Sequence, residues 1–362
     1  MEKRTVLAVV MMFVVILLWS ILFAPPPPTP PPPGEQVAED SRQLAPETRA
    51  PKTEAPQAPP KTSEVADPAR PAAEIRVDTG VSQLILSEQG AGVKAVSLLD
   101  YRQSLEEGAP PVVIAPVAGF DTLPLETRLQ RQGRMESLKH VTFSATSTDD
   151  IQLLEPEAQA ELQFRGTMPD GAVIQRIYRF KHGSYAFEVE TQVEGVLPKD
   201  GDTMTLLWGP GLLPEEDEPN QRQGQTGTLP RSYVGGKIFE DPPDGINEEF
   251  TERGPVGWAA QGNTYFAAVL IPQEPVAVAA TVRRVREDAL EVGVRTPLAG
   301  GARQIVQVYV GPKSYRLLEA VDPSLGKVID LGFFSVMARP MLRLLVWVND
   351  WVQNYGITII LV

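Results

Sequence analysis

With 362 residues, 43% of them hydrophobic, the chain can bury a sizeable core, and its length allows two domains. A formal net charge of -13 argues against a nucleic-acid partner, because phosphate binding relies on clustered Lys and Arg. The absence of cysteine excludes disulfides, thiolate metal sites and lipidated cysteines, and two histidines, His140 and His182, make a polyhistidine metal centre a poor fit.

The first element is Val6–Ala24, apolar throughout except for Ser20. Its roughly 19 residues just cross a hydrocarbon core of about 30 Å at about 1.5 Å per residue. Lys3 and Arg4 precede it and no Lys or Arg follows before Arg42, so residues 1–5 are expected in the cytoplasm and the rest is exported. A cleaved signal peptide is the rival reading. Its apolar core would be shorter and end in a small-residue site, whereas Phe23-Ala24 runs straight into Pro25–Pro28.

Residues 25–73 are dense in proline, with Pro25–Pro28 and Pro30–Pro33 as uninterrupted runs. Such a segment buries too little apolar surface to offset its ordering entropy and favours extended polyproline II, so a disordered spacer is expected. From Glu74 to about Lys313 the pattern is all-β. Strands are expected at Ile75–Thr79, Leu84–Ser87 and Val93–Leu99, with Gly90-Ala91-Gly92 as a turn. Gly171–Phe180 and Tyr185–Val193 alternate and are joined by a short Gly-containing turn, which predicts a hairpin, although Gln175-Arg176 breaks the strict succession. Later strands are expected at Met204–Trp208, Trp258–Ala260, Tyr265–Ile271, Val276–Val282, Ala289–Arg295 and Ile305–Val310. Few helical periods intervene, and a large two-layer β-sandwich fits this pattern best. The Gly-, Pro- and acid-rich stretch from Gly209 to Gly257 reads as one long loop, functional or partly disordered.

Near the end, Tyr315, Leu318 and Val321 suggest a short helical linker over 314–331. Residues 332–352 then read as an amphipathic helix, with Met337, Met341, Leu344, Leu345, Val348 and Trp351 on one face and Arg339 and Arg343 an i,i+4 pair elsewhere. Basic residues beside Phe333, Phe334, Trp347 and Trp351 suit a helix lying in a membrane interface; a helix of the soluble core is the alternative. Residues 353–362 start an apolar run that stops far short of the roughly 20 residues needed to span, so a second transmembrane helix is expected to begin there and the chain to be the N-terminal part of a longer one.

In order and spacing these features resemble one family. The residues that carry the likeness are the anchor and proline-rich spacer, the strand pair around Val77–Tyr101, Trp208-Gly209-Pro210-Gly211, Gly257–Phe266 with Ile271-Pro272, and Val308–Lys313. Most specific are Gly332–Leu342 and Asn354–Ile360. Together they are similar to the YidC membrane protein insertases of Gram-negative bacteria, across essentially the whole chain. The resemblance implies a transmembrane helix at 6–24, a large periplasmic β-supersandwich similar to galactose mutarotases, an interfacial helix and the start of a second span. It implies residence in the inner membrane, with nascent inner-membrane proteins, Sec translocon components and lipid as partners, and no cofactor. The family's arginine-bearing hydrophilic groove would lie beyond residue 362, and neither Arg339 nor Arg343 corresponds to the groove arginine. Such a groove shortens the costly passage of polar flanks through hydrocarbon without covalent chemistry, so no nucleophile, base or metal is implied.

Two other functions compete. A mutarotase-like enzyme needs histidine and carboxylate as acid and base, for which His140, His182, Glu188 and Glu190 are the candidates, although both histidines fall where solvated surface histidines commonly occur. A TonB-like periplasm-spanning protein shares the anchor and spacer, but membrane-seeking residues after the β-domain speak against it. The acidic run Glu215–Glu218 lacks the ligand spacing of a calcium loop and reads as solvated. Arg283, Arg284 and Arg286 read as an exposed strand edge.

Overall fold

The structure, a computed structural model, describes residues 72–115, 123–195, 197–210, 229–240, 245, 247–286, 289–298, 302–329 and single positions between 341 and 358. The 6–24 span, nearly all of the proline-rich spacer and Glu215–Glu218 lie outside the described residues. Among those described, no helix is long and apolar enough to cross a membrane.

The first strands are β1 (Glu74–Asp78), β2 (Ser82–Ser87), β3 (Val93–Arg102), β4 (Pro111–Ala115), β5 (Thr127–Arg131), β6 (Arg134–Ser137), β7 (Phe143–Ala145), β8 (Ile151–Gln152), β9 (Gln159–Thr167) and β10 (Val173–Lys181). There follow β11 (Ala186–Glu194), β12 (Thr203–Trp208), β13 (Leu229–Val234), β14 (Lys237–Phe239), β15 (Glu249–Arg253), β16 (Val256–Gly262), β17 (Phe266–Glu274), β18 (Ala279–Arg286), β19 (Ala289–Pro297) and β20 (Arg303–Pro312). A helix, α1 (Tyr315–Val321), and a 3-10 turn, Pro323–Val328, come after them.

The strands build a nine-stranded sheet in the order β14-β13-β16-β17-β20-β11-β10-β9-β7, a six-stranded sheet β15-β18-β19-β12-β5-β6 and a five-stranded sheet β4-β3-β2-β1-β8. All pairings are antiparallel except β1 with β8. The nine-stranded sheet meets both smaller ones. Gln261 on β16 and Gln304 on β20 donate to the Leu290 and Val294 carbonyls of β19, and Phe266 on β17 meets Tyr101 on β3 edge-to-face at 5.4 Å. The expected sandwich is therefore observed, with its second layer divided between two sheets. Period-two burial explains it locally: Ile75 and Val77 are fully buried between exposed Glu74 and Arg76.

One charged side chain ties the three sheets together. Arg176 takes an inward position on β10 in phase with Ile174, Tyr178 and Phe180, and it is fully buried. It donates to the Leu125 carbonyl at 2.9 Å, the Ala91 carbonyl at 3.2 Å and the hydroxyls of Thr191 and Thr127. Ala91 lies in the β2–β3 turn and also accepts from the Tyr178 hydroxyl at 2.5 Å, while Thr127 belongs to β5. Among the described residues no carboxylate bonds Arg176, so its charge is solvated by oriented backbone and hydroxyl dipoles instead.

The segment Val308–Lys313 closes β20. Tyr309 donates to the Pro312 carbonyl at 2.6 Å, and a Cβ on Gly311 would stand 2.9 Å from the Tyr185 ring, closer than real contacts allow. Tyr185 donates to Asp100 at 3.0 Å, and burial followed by the neighbouring Asp100 carboxylate pushes its phenol above the ordinary tyrosine range. Gly311→Ala is expected to cost about 1–3 kcal/mol through overpacking, read as a lower urea midpoint with an unchanged slope.

Three expectations need correction. The stretch from Gly209 to Gly257 is not one loop, since β13, β14, β15 and the first residues of β16 lie in it. Arg283, Arg284 and Arg286 do not mark an edge: β18 lies between β15 and β19, and Arg283 bonds buried Glu291 at 2.6 Å. The strand expected at Val276–Val282 begins instead at Ala279, which leaves Val276 and Val278 exposed.

Candidate functional site

Two places compete for a role: the C-terminal helix with its mount on the sandwich, and the histidine–carboxylate set that sugar chemistry would need.

The mount begins where β20 ends. α1 and the 3-10 turn fold against each other, Gly326 lying so close to Tyr315 that an added Cβ would be 2.8 Å from its ring. Asp322 starts the 3-10 turn by accepting from the Ser324 amide at 2.7 Å, a side-chain cap for otherwise unpaired backbone. Leu318, Leu325 and Val328 are buried and join the main core. The polar contacts fall on β13. Arg231 donates to the carbonyls of Lys327 at 3.1 Å and Val328 at 3.2 Å and pairs with Glu240 at 2.6 Å. Lys327 lies 4.1 Å from the centre of the Tyr233 ring and donates to the Tyr233 hydroxyl at 3.0 Å, and Trp258 stacks on Tyr233 with ring centres 5.9 Å apart.

Beyond the mount, the described residues between 341 and 352 are helical. Met341, Leu344, Trp347 and Trp351 form one stripe at helical spacing, and they are 50%, 45%, 59% and 79% exposed. Leu345, Val348 and Val352 are half-buried. The Trp347 and Trp351 rings stand 5.9 Å apart. At Gln353 the backbone enters the left-handed region with φ +51, its amide bonded to the Asn349 carbonyl, and the helix stops there. Phe333, Phe334, Arg339 and Arg343 lie outside the described residues.

The acid–base candidates are not brought together. His182 sits in the β10–β11 turn against Gly80, with Nδ1 2.7 Å from the Leu153 carbonyl. His140 is exposed at the end of the short 3-10 turn Leu138–His140, whose backbone packs on Gly90. Gly80 and Gly90 bracket β2, so the two histidines stand at opposite ends of a strand about 20 Å long. Neither ring bonds a carboxylate among the described residues.

Glu188 and Glu190 belong to a charge network on the outer face of the nine-stranded sheet. Arg179 bonds Glu188, Glu161 at 3.0 Å and Glu190 at 2.8 Å, and Arg303 bonds Glu190 at 2.5 Å. Burial pushes the Glu190 carboxyl up, but hydrogen bonds from Arg303, Arg179 and Gln192 outweigh it and hold the group at about 2. A carboxylate so firmly ionised is a poor proton donor or acceptor near neutrality. It is instead a source of stability. Against an ordinary value of 4.5, its contribution is full above about pH 4.5 and is lost as pH falls towards 2. Glu190→Gln is expected to flatten the loss of unfolding free energy across that window, checked by urea titrations at a series of pH values.

Sequence reasoning missed the mount's β13 side, because Arg231 and Tyr233 lay in a stretch read as loop. Their only signal was the pair of β-formers Tyr233-Val234, which Gly and Pro on both sides obscured.

Comparison with known proteins agrees with the β-domain and its C-terminal extension. The model of the YidC periplasmic domain matches residues 74–344. The membrane protein insertase YidC of Syntrophus aciditrophicus is 25% identical over 296 residues, covering 80% of this chain and 53% of the relative. That of Geobacter metallireducens is 26% identical over 298 residues, covering 80% and 54%. The chain thus spans about half the length of the curated relatives it matches. Among solved structures, a putative aldose 1-epimerase from Escherichia coli K12 aligns with TM-score 0.40 at 12% identity, over 66% of this chain and 99% of the other. An alpha-N-acetylgalactosaminidase from Bifidobacterium bifidum gives 0.45 at 12%, over 70% and 38%. With the family model matching three-quarters of its length, from β1 into the C-terminal helix, the chain belongs to the YidC periplasmic domain family.

Proposed function

We propose that this chain is the anchoring and periplasmic part of a membrane protein insertase, which assists insertion, folding and assembly of inner-membrane proteins, alone or beside the Sec translocon. What supports the reading is the exposed Met341–Leu344–Trp347–Trp351 stripe at the end of a β-domain of this family. In the proposed arrangement residues 1–5 are cytoplasmic, 6–24 span the inner membrane, and 25–73 tether the domain 74–313 in the periplasm. Residues 314–331 connect it to an interfacial helix at 332–352, and 353–362 begin a second span. Phe333, Phe334, Arg339, Arg343, Trp347 and Trp351 are assigned to the lipid interface, where aromatic and basic side chains place an apolar body in the acyl region and a polar end in water. The role is positional and non-enzymatic, with nascent membrane proteins, translocon components and lipid as partners.

Deletions in the full-length protein test this. Removing the β-region while keeping Ser314–Val362 is expected to leave insertion of a single-span substrate largely intact, whereas removing 314–331 is expected to abolish it. Abolition by the first deletion, with the protein stably made, would contradict the reading that insertion depends on the connecting segment 314–331 and not on the β-region.

A further inference from the structure

We propose that Arg231, with Tyr233 and Lys327, is a positioning clamp that fixes the direction in which the C-terminal helix leaves the β-domain. The inference rests on the reading that this helix meets lipid and goes beyond it, by naming what orients the helix.

The geometry is that of an end-stop. A helical turn leaves its last carbonyls without partners inside the turn, and those oxygens must find donors when buried. Val328, the last residue of the 3-10 turn, is buried, and the carbonyls of Lys327 and Val328 both accept from one nitrogen of Arg231. Arg231 is itself almost fully buried and reaches the turn across 96 residues of sequence. Its second terminal nitrogen is occupied by Glu240, so the guanidinium is held from the opposite side and has little freedom to follow the chain. Lys327 adds a second fixed point on the Tyr233 ring, on which Trp258 stacks. Two points on consecutive residues fix both the position and the heading of the backbone. Apolar burial of Leu318 and Leu325 alone would tolerate rotation, because it is not directional.

The position of the clamp has a mechanical consequence. It lies at the last described residues before the C-terminal helix, so β13 sets the heading on which the chain leaves the β-domain. Loss of the clamp would leave the helix tethered yet free to swing.

The chain contains no cysteine, so spin labels can be placed at will. We would attach one through Gln159→Cys on β9 and one through Leu344→Cys on the helix, in the 362-residue chain reconstituted into nanodiscs of phosphatidylethanolamine and phosphatidylglycerol. Pulsed electron spin resonance is expected to give one narrow distance distribution. In Arg231→Ala and in Lys327→Met it should broaden about twofold or more, with the melting temperature of the β-domain shifted by less than about 4 °C. Arg231→Lys, which keeps a donor but loses the fork, should fall between. Unchanged widths in both variants would overturn the clamp, as would broadening that occurs only with loss of the cooperative melt. If Arg231→Ala fails to fold, Lys327→Met decides alone. Quenching of Trp347 and Trp351 by brominated lipid, measured on the unlabelled Trp19→Phe chain in nanodiscs whose acyl chains carry bromine, separates the two claims: unquenched rings would refute the lipid reading, whereas unchanged widths with quenched rings would refute only the clamp.

Discussion

Replacing Arg176 by methionine is expected to destabilise the β-domain by about 3–5 kcal/mol, a large share of the roughly 5–15 kcal/mol by which a folded domain is ordinarily stable. Methionine fills much the same volume, so the effect does not come from a cavity. It comes from the partners left behind. The Leu125 carbonyl and the hydroxyls of Thr127 and Thr191 lose their arginine donor in a region closed to water, and Ala91 keeps only Tyr178. Each buried group without a partner costs roughly 1–3 kcal/mol, and the transfer gain of an apolar side chain recovers part of the total. Thr127→Val, which removes one partner and leaves the arginine its remaining acceptors, should cost only about 1 kcal/mol. Urea denaturation followed by tryptophan emission distinguishes the two, since Trp208 and Trp258 are fully buried and report the native sandwich. Equal small losses for both variants would show that Arg176 packs mainly through its aliphatic stem.

The second large effect concerns the helix. Trp347→Glu combined with Trp351→Glu, in a chain of residues 72–362, is expected to weaken binding to phosphatidylethanolamine–phosphatidylglycerol vesicles at least about tenfold, which is about 1.4 kcal/mol. Both rings are mostly exposed, so fold stability should change by less than about 0.5 kcal/mol. Flotation of vesicles on a density gradient gives the first quantity and thermal melting the second. With Arg339 and Arg343 at anionic headgroups, as proposed, raising the salt should weaken the native chain's binding.

Much of the architecture could be read from period-two alternation. Ile75–Asp78 and Tyr185–Val193 alternate, and both regions, with Ile305–Val310, became paired strands. Where the reading stumbled, the cause is physical. At Gln175-Arg176 the alternation failed because a cation occupies an inward position, and its burial depends on carbonyls 51 and 85 residues away that no local pattern encodes. Strands β13 to β15 were hidden because they are short and separated by Gly and Pro, and they are strands only by virtue of neighbours far along the chain, such as β16 and β18. The basic run at Arg283 resembled an edge, yet Glu291 and Arg128 complete a buried ion cluster around it. The mount shows the same limit. Tyr315, Leu318 and Val321 announced a helix through their spacing, but the partner that receives it could not be inferred without the register that brings β13 beneath the turn.

The arrangement proposed is a β-body that carries an aromatic helix to a lipid surface. The most direct check is the depth of Trp347 and Trp351 in residues 72–362 bound to vesicles whose acyl chains carry bromine just below the headgroups. The account predicts a blue shift and strong quenching of these two rings, with Trp208 and Trp258 untouched inside the sandwich. Emission from Trp347 and Trp351 that stays unquenched and unshifted while the β-domain remains folded would contradict it.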